Sequence, residues 1–236
     1  MKYPVLLGPP AVLALIAGQG LYARRVILRL PEAEDPEGLH GDSATTPWHL
    51  VVIGDSVAAG VGIPHHGLTL AGQLAALLAE DRGVRRTVIA QSGLTAAEVT
   101  AMVRNRPELA TADAVVVSAG VNDTKNLHSL RRWRADLTEL LDTVTAAAPG
   151  ALVVLLGLPP MEKFVRLPGA LRHTLGVRAR QMDRVARSVA AAYPTVRRVE
   201  MSDVAIDELD DPFAGDGFHP SESAHKAFAT RIRALI

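Results

Sequence analysis

From residue 48 onward the apolar positions fall into two alternating rhythms. Short runs in which nearly every residue is apolar occur at Leu50–Ile53, Thr87–Ala90, Ala114–Val117 and Leu152–Leu156, with a weaker one at Val196–Val199. Between them, apolar residues recur at three- and four-residue spacing, as in Leu130, Trp133, Leu137, Leu140, Leu141 and Val144, and again in Leu171, Leu175, Met182, Val185 and Val189. The first rhythm suits strands buried on both faces and the second suits helices with one apolar stripe. Their regular alternation predicts parallel strands joined by right-handed helical crossovers, hence an α/β fold in three layers, α/β/α.

The first 47 residues follow neither rhythm. Tyr3 to Ala23 spans 21 residues without a charge and is followed by Arg24, Arg25 and Arg29. A membrane-spanning helix needs about 20 predominantly apolar residues, but Gly8-Pro9-Pro10 would break or kink the first part. Three readings stay open for this segment: a single membrane anchor, a removable signal peptide without a clear cleavage site, and an N-terminal helix buried on the domain. Pro31 to Pro47 holds three prolines and five acidic residues with no Lys or Arg, which reads as a solvated linker. The expected organisation is a hydrophobic segment over 1–23, an acidic Pro-containing linker over 24–47 and a catalytic domain over 48–236.

Composition narrows the function. At 236 residues with 48% hydrophobic and 21% charged positions, the chain has enough apolar material for one sizeable core. Zero cysteines exclude disulfides, thiolate metal sites and a cysteine nucleophile. A net charge of zero offers no global field to recruit nucleic acid.

In open parallel sheets, ligands bind beyond the carboxyl ends of the strands, so the residues after each run are where chemistry is sought. They are Gly54-Asp55-Ser56, Gln91-Ser92-Gly93, Gly120-Val121-Asn122-Asp123, Leu158-Pro159-Pro160-Met161 and, across an acidic loop, Asp216-Gly217-Phe218-His219. These supply what acyl transfer requires. Ser56 is the candidate nucleophile, His219 the candidate base, and Asp216 the carboxylate that would fix the imidazole tautomer from three residues away. The backbone N–H groups of Ser56 and Gly93 and the side-chain amide of Asn122 are the candidate oxyanion donors.

These four blocks, in this order, resemble the SGNH hydrolases, also called the GDSL esterase/lipase family, over essentially all of residues 48 to 236. The run Gly54-Asp55-Ser56-Val57-Ala58-Ala59-Gly60-Val61-Gly62 is further similar to bacterial esterases and lysophospholipase-like enzymes. The resemblance implies a flavodoxin-like, five-stranded parallel sheet of order 2-1-3-4-5 and no cofactor or metal. It departs from the family pattern at Val57, where the family name has Leu, and at Ser92, where many members have Asn. The implied activity is a serine esterase or lipase that cleaves acyl or acetyl esters through an acyl-serine intermediate. An acyltransferase with the same triad, or a non-catalytic binding domain of the same fold, is the alternative. The expected partner is a small-molecule or lipid ester, with membrane association through residues 3–23 and a membrane-associated location; secreted and cytoplasmic locations stay open.

Other features carry less. Asp55 and Asp123 read as turn-stabilising residues and His65-His66 as loop histidines; His128, His173 and His225 have no motif around them. Phe164, Phe213 and Phe218 are candidate pocket walls. Lys163 to Arg198 holds nine basic residues against only Asp183, whereas Glu200 to Glu222 holds eight acids and no Lys or Arg. The plain account is a solvated helix face beside an acidic loop; the sharper one is a basic face resting on anionic lipid.

Overall fold

A computed structural model of the chain describes residues 9–26, 28–42, 46–164, 166–201, 204 and 208–236. Its strands are β1 (Glu37–His40), β2 (Trp48–Gly54), β3 (Val84–Ala90), β4 (Ala114–Ser118), β5 (Leu152–Leu156) and β6 (Val196–Val199). The helices are α1 (Pro9–Val26), α2 (Leu70–Leu78), α3 (Ala96–Val103), α4 (Pro107–Ala110), α5 (Val121–Lys125), α6 (Leu130–Ala147), α7 (Gly169–Ala190) and α8 (Glu222–Arg233). The strands make one sheet in the order β1-β3-β2-β4-β5-β6. Only β1 runs antiparallel to its neighbour.

The five strands from β2 to β6 keep the expected order 2-1-3-4-5, and the sheet has one strand more than expected. The addition is β1, which pairs Glu37 with Thr87 and His40 with Val84 inside the stretch read as a linker. Residues 31–40 are therefore attached to the domain through backbone hydrogen bonds, although most of their side chains stay exposed. Acidic, proline-containing composition misled here because backbone groups supply the attachment, and these leave no mark in side-chain polarity. The strand read at Thr87–Ala90 also starts earlier, at Val84, because Arg85 and Arg86 interrupt the apolar run.

Side chains alternate across the sheet as the two-residue strand period demands. Val51, Ile53, Val115, Val117, Val153 and Leu155 face α3, α6 and α7, where Trp133, Leu137, Leu141, Val144 and Met182 complete one core. Leu50, Val52, Val116 and Val154 face α2 and α8, against Leu70, Leu74, Leu78, Phe228 and Ile232. Full burial of each Val or Leu side chain is worth about 1.5–3 kcal/mol, so the two apolar layers carry the fold. Trp133, wholly buried, satisfies its indole by donating Nε1–H to the Met182 carbonyl at 2.9 Å. Local signals set the helix starts: Ser129 accepts the Arg132 N–H, Ser221 accepts the Ala224 N–H, and Glu98 reaches back to the Thr95 N–H.

Of the apolar N-terminal segment, residues 3–8 lie outside the described residues. The rest forms α1, which packs on α7: Gln19 Oε1 accepts the Leu171 N–H at 2.8 Å, and Ala23 joins a small core with Met161, Phe164, Leu175 and Phe218. Among the described residues, no helix is long and apolar enough to cross a membrane.

Candidate active site

The loop after β2 can turn sharply because of Gly54. At φ +142 it lies where side chains are strained, and a Cβ there would stand 2.0 Å from the Ser118 carbonyl oxygen of β4. Asp55 follows, wholly buried. Its Oδ1 accepts the Ser118 hydroxyl at 2.8 Å and the Val57 N–H at 3.2 Å, which braces the turn from below, while Oδ2 is buried without a hydrogen-bond partner. Burial pushes this carboxyl up to about 6, against the pull of its two hydrogen bonds. Ser56 stands next in the turn, 7% exposed.

The second and third blocks are tied to the first. Gln91 N–H bonds the Gly54 carbonyl at 3.1 Å, which carries the 91–94 turn to the edge where Ser56 lies. Gly93 adopts φ +90 in that turn. Asn122, near the start of α5 and 4% exposed, donates Nδ2–H to the Leu94 carbonyl at 2.9 Å and accepts from Lys125 Nζ at 2.9 Å. The bond to Leu94 uses one of the two amide hydrogens and fixes the amide plane beside the Gly93 turn. Asp123 is engaged with structural partners: it accepts the Ala96 N–H at 3.0 Å and pairs with His128 Nδ1 at 3.0 Å.

The fourth block closes on itself. Asp216 Oδ2 lies 2.6 Å from His219 Nδ1, and Oδ1 accepts the Phe218 and His219 N–H groups at 2.9 and 3.0 Å. Burial alone would raise the Asp216 carboxyl, but the imidazole and the two backbone donors outweigh it and hold the group below its ordinary value. It therefore stays ionised, and its bond orients His219 with Nδ1 inward and Nε2 outward.

Ser56 and His219 line one cavity of about 60 Å³. Its walls are apolar: Leu156, Met201, Phe164, Phe213, Phe218 and Phe228 among them. The three aromatics singled out in the sequence cluster there, Phe164 meeting Phe213 and Phe218 edge-on at 5.6 and 4.9 Å between centroids. Gly93 and Asn122 do not line this cavity; they stand beside it, joined through Leu94.

Several residues around the site had no sequence signal. His66 and His225 are buried, although His66 reads from sequence as a loop residue and His225 as one without a role. His225 Nδ1 accepts the Leu70 N–H at 3.0 Å, 155 residues away, a bond no local pattern announces. Segment 31–37 crosses the Ser56 loop, and Glu32 Oε1 accepts the Ser92 N–H at 2.6 Å. Asp123, His128 and Asp136 bring three potential ligand atoms within 4.8 Å of one another, yet each is engaged: Asp123 with Ala96, His128 with Asp123, and Asp136 with Arg132. Nor is the basic stretch from 163 to 198 an unpaired face. Arg180 pairs with Glu162, Arg187 with Glu200, and Arg198 with Asp183 and Glu200.

With this geometry in view, the chain matches the GDSL-like Lipase/Acylhydrolase family over residues 52–227. No curated protein matches it in sequence. Among solved structures, the lipase Lip_vut3 from a goat rumen metagenome superposes with a TM-score of 0.65 at 18% identity, covering 79% of this chain and 96% of that one. The lipase/acylhydrolase from Enterococcus faecalis gives 0.63 at 19% identity, covering 80% and 95%. Phospholipase A1 from Streptomyces albidoflavus gives 0.63 at 17% identity, covering 81% and 100%. At these identities the likeness is one of fold.

Proposed function

Because the chain belongs to the GDSL-like lipase/acylhydrolase family and is thereby an ester hydrolase, we propose that it hydrolyses carboxylic esters through an acyl intermediate on Ser56. The observation that carries this reading is His219, bonded to Asp216 at 2.6 Å and sharing an apolar cavity with Ser56. Asp216 holds the Nδ1–H of His219, which leaves Nε2 unprotonated to take the Ser56 hydroxyl proton as Oγ attacks the ester carbonyl. The N–H groups of Ser56 and Gly93 and the Asn122 amide receive the oxyanion. Collapse breaks the carbonyl–alkoxy bond, and His219 returns its proton to the departing alcohol. Water, deprotonated by His219, then attacks the acyl-enzyme and releases the acid and free Ser56. The phenylalanine-lined cavity supports an apolar acyl group.

A fluorophosphonate probe tests this directly. The wild type is expected to label at Ser56 and to hydrolyse p-nitrophenyl butyrate, and Ser56→Ala is expected to lose both, with turnover falling on the order of a millionfold. Labelling at another residue, or full turnover in Ser56→Ala, would refute it. Adding a competing alcohol and analysing products separates hydrolysis from acyl transfer.

We also propose membrane association through residues 3–23. In α1 no residue from Pro9 to Ala23 is charged, Leu21 and Tyr22 are 61% and 59% exposed, and Arg25 and Arg29 are exposed beyond them. An apolar surface next to basic residues suits an interface carrying anionic headgroups. The full chain is expected to sediment with phosphatidylglycerol vesicles, and a Leu21→Ser, Tyr22→Ser variant to stay in solution. Equal sedimentation of both would overturn the assignment.

A further inference from the structure

Among the candidate oxyanion donors, Gly93 is the one least held by packing. Gln91, Ser92 and Gly93 are all exposed, and no atom lies within 4 Å of where a Gly93 Cβ would stand. Close packing therefore does not aim its N–H. Hydrogen bonds around it do: Gln91 N–H to the Gly54 carbonyl, Asn122 Nδ2–H to the Leu94 carbonyl, and Ser92 N–H to Glu32 Oε1 at 2.6 Å. The first two partners belong to the motif blocks. Glu32 belongs to none of them and reaches the turn from the N-terminal segment.

That segment is itself anchored. The Gly62 N–H bonds the Pro31 carbonyl at 2.9 Å, the Ala33 and Glu34 N–H groups bond the Ala59 and Pro64 carbonyls at 3.0 and 3.1 Å, and the His66 N–H bonds the Glu34 carbonyl at 2.7 Å. Further along, Arg86, 3% exposed, donates to the Asp35 and Glu37 carbonyls at 2.9 Å each. Residues 31–37 thus form a strap stitched to the loop that carries Ser56 and fixed at its far end to β3. A carboxylate mounted on such a strap bonds the Ser92 N–H more strongly than a neutral acceptor would, and it couples the nucleophile loop to the Gly93 turn.

We propose that Glu32 is a positioning residue for the oxyanion site: its carboxylate, carried on the strap 31–37, holds the 91–94 turn so that the Gly93 N–H stays aimed at the developing oxyanion. This rests on the reading of Gly93 as an oxyanion donor. Glu32 touches no reacting atom and acts through the turn.

The test uses the full chain with p-nitrophenyl butyrate as substrate and a fluorophosphonate probe, comparing wild type, Glu32→Ala, Glu32→Gln, Asn122→Ala and Ser56→Ala. Glu32→Ala is expected to lower kcat about tenfold to a hundredfold with KM nearly unchanged, since a slight misplacement of one donor weakens the transition state and not the ground state. Glu32→Gln keeps the acceptor and is expected to stay within about fivefold of wild type. In Glu32→Ala every site should still label, only more slowly; a role confined to folding would instead lower the fraction that labels. Wild-type kcat in Glu32→Ala while Ser56→Ala and Asn122→Ala are impaired, or Glu32→Gln no better than Glu32→Ala, overturns the proposal and leaves the site reading standing. Wild-type kcat in Ser56→Ala or in Asn122→Ala overturns the site reading and the proposal together.

Discussion

Replacing His225 by Asn should change how the domain responds to acid. His225 is fully buried in α8, and because its Nδ1 accepts the Leu70 N–H, the neutral ring carries its proton on Nε2, which has no hydrogen-bond partner. Burial first, then the nearby His66 and His219, lower its pKa from 6.5 to about 3. The folded value lies below the unfolded one, so between these pH values the unfolded chain binds more protons. Stability is complete above pH 6.5 and drains as pH falls toward 3. At pH 4, linkage puts the loss from His225 at about 3 kcal/mol. His66, pushed down to about 4 by burial, works in the same direction. Asp55, raised to about 6, works in the opposite one, because its folded form holds a proton that the unfolded chain has released.

Comparing variant with wild type isolates the His225 contribution from these others. Asn can present Oδ1 to the Leu70 N–H and does not titrate. The smaller side chain costs a constant amount at every pH, whereas the titration changes with pH. Urea unfolding followed by circular dichroism should therefore give two stability curves that converge as pH falls, the gap moving by about 3 kcal/mol in favour of His225→Asn between pH 7 and pH 4. Parallel curves would show that His225 keeps an ordinary affinity for protons, which would refute the burial argument.

Asp216→Asn should leave the fold intact and lower kcat about ten-thousandfold, because the amide no longer holds the imidazole tautomer or stabilises its charge; steady-state kinetics with p-nitrophenyl butyrate read this. Asn122→Ala should lower kcat about a hundredfold to a thousandfold with a smaller effect on KM, in the same assay. Gly54→Ala forces a methyl group to 2.0 Å from the Ser118 carbonyl oxygen at a φ of +142, so urea unfolding should show a loss of about 3 kcal/mol or more together with lost activity.

Much of the site could be read because its chemistry is local in sequence. Gly54-Asp55-Ser56 and Asp216-x-x-His219 each place their partners within a few residues, so spacing alone suggested that Asp216 and His219 share one side of a turn, and the 2.6 Å bond has that geometry. The sequence marks Asn122 as a candidate donor, but the bond to Leu94 that fixes its amide plane joins two different loops and leaves no local signal. The strap 31–37 is invisible to composition for a related reason. Its attachment runs through backbone carbonyls and N–H groups, which every residue possesses, so composition gave the appearance of a spacer.

The succession of strands and helices along the chain, the parallel central sheet and the expectation that the motif blocks meet at one sheet edge followed from the sequence alone, because apolar periodicity reports which faces are buried and strand ends are local events; the order of strands within the sheet came from the family resemblance. Only the tertiary structure decided that Glu32 meets Ser92, that His225 Nδ1 meets the Leu70 N–H, and that four phenylalanines wall one cavity with Ser56 and His219. Those are contacts between segments 60 and 155 residues apart for the first two, and they form because packing two apolar layers on one sheet brings together surfaces that no local pattern relates.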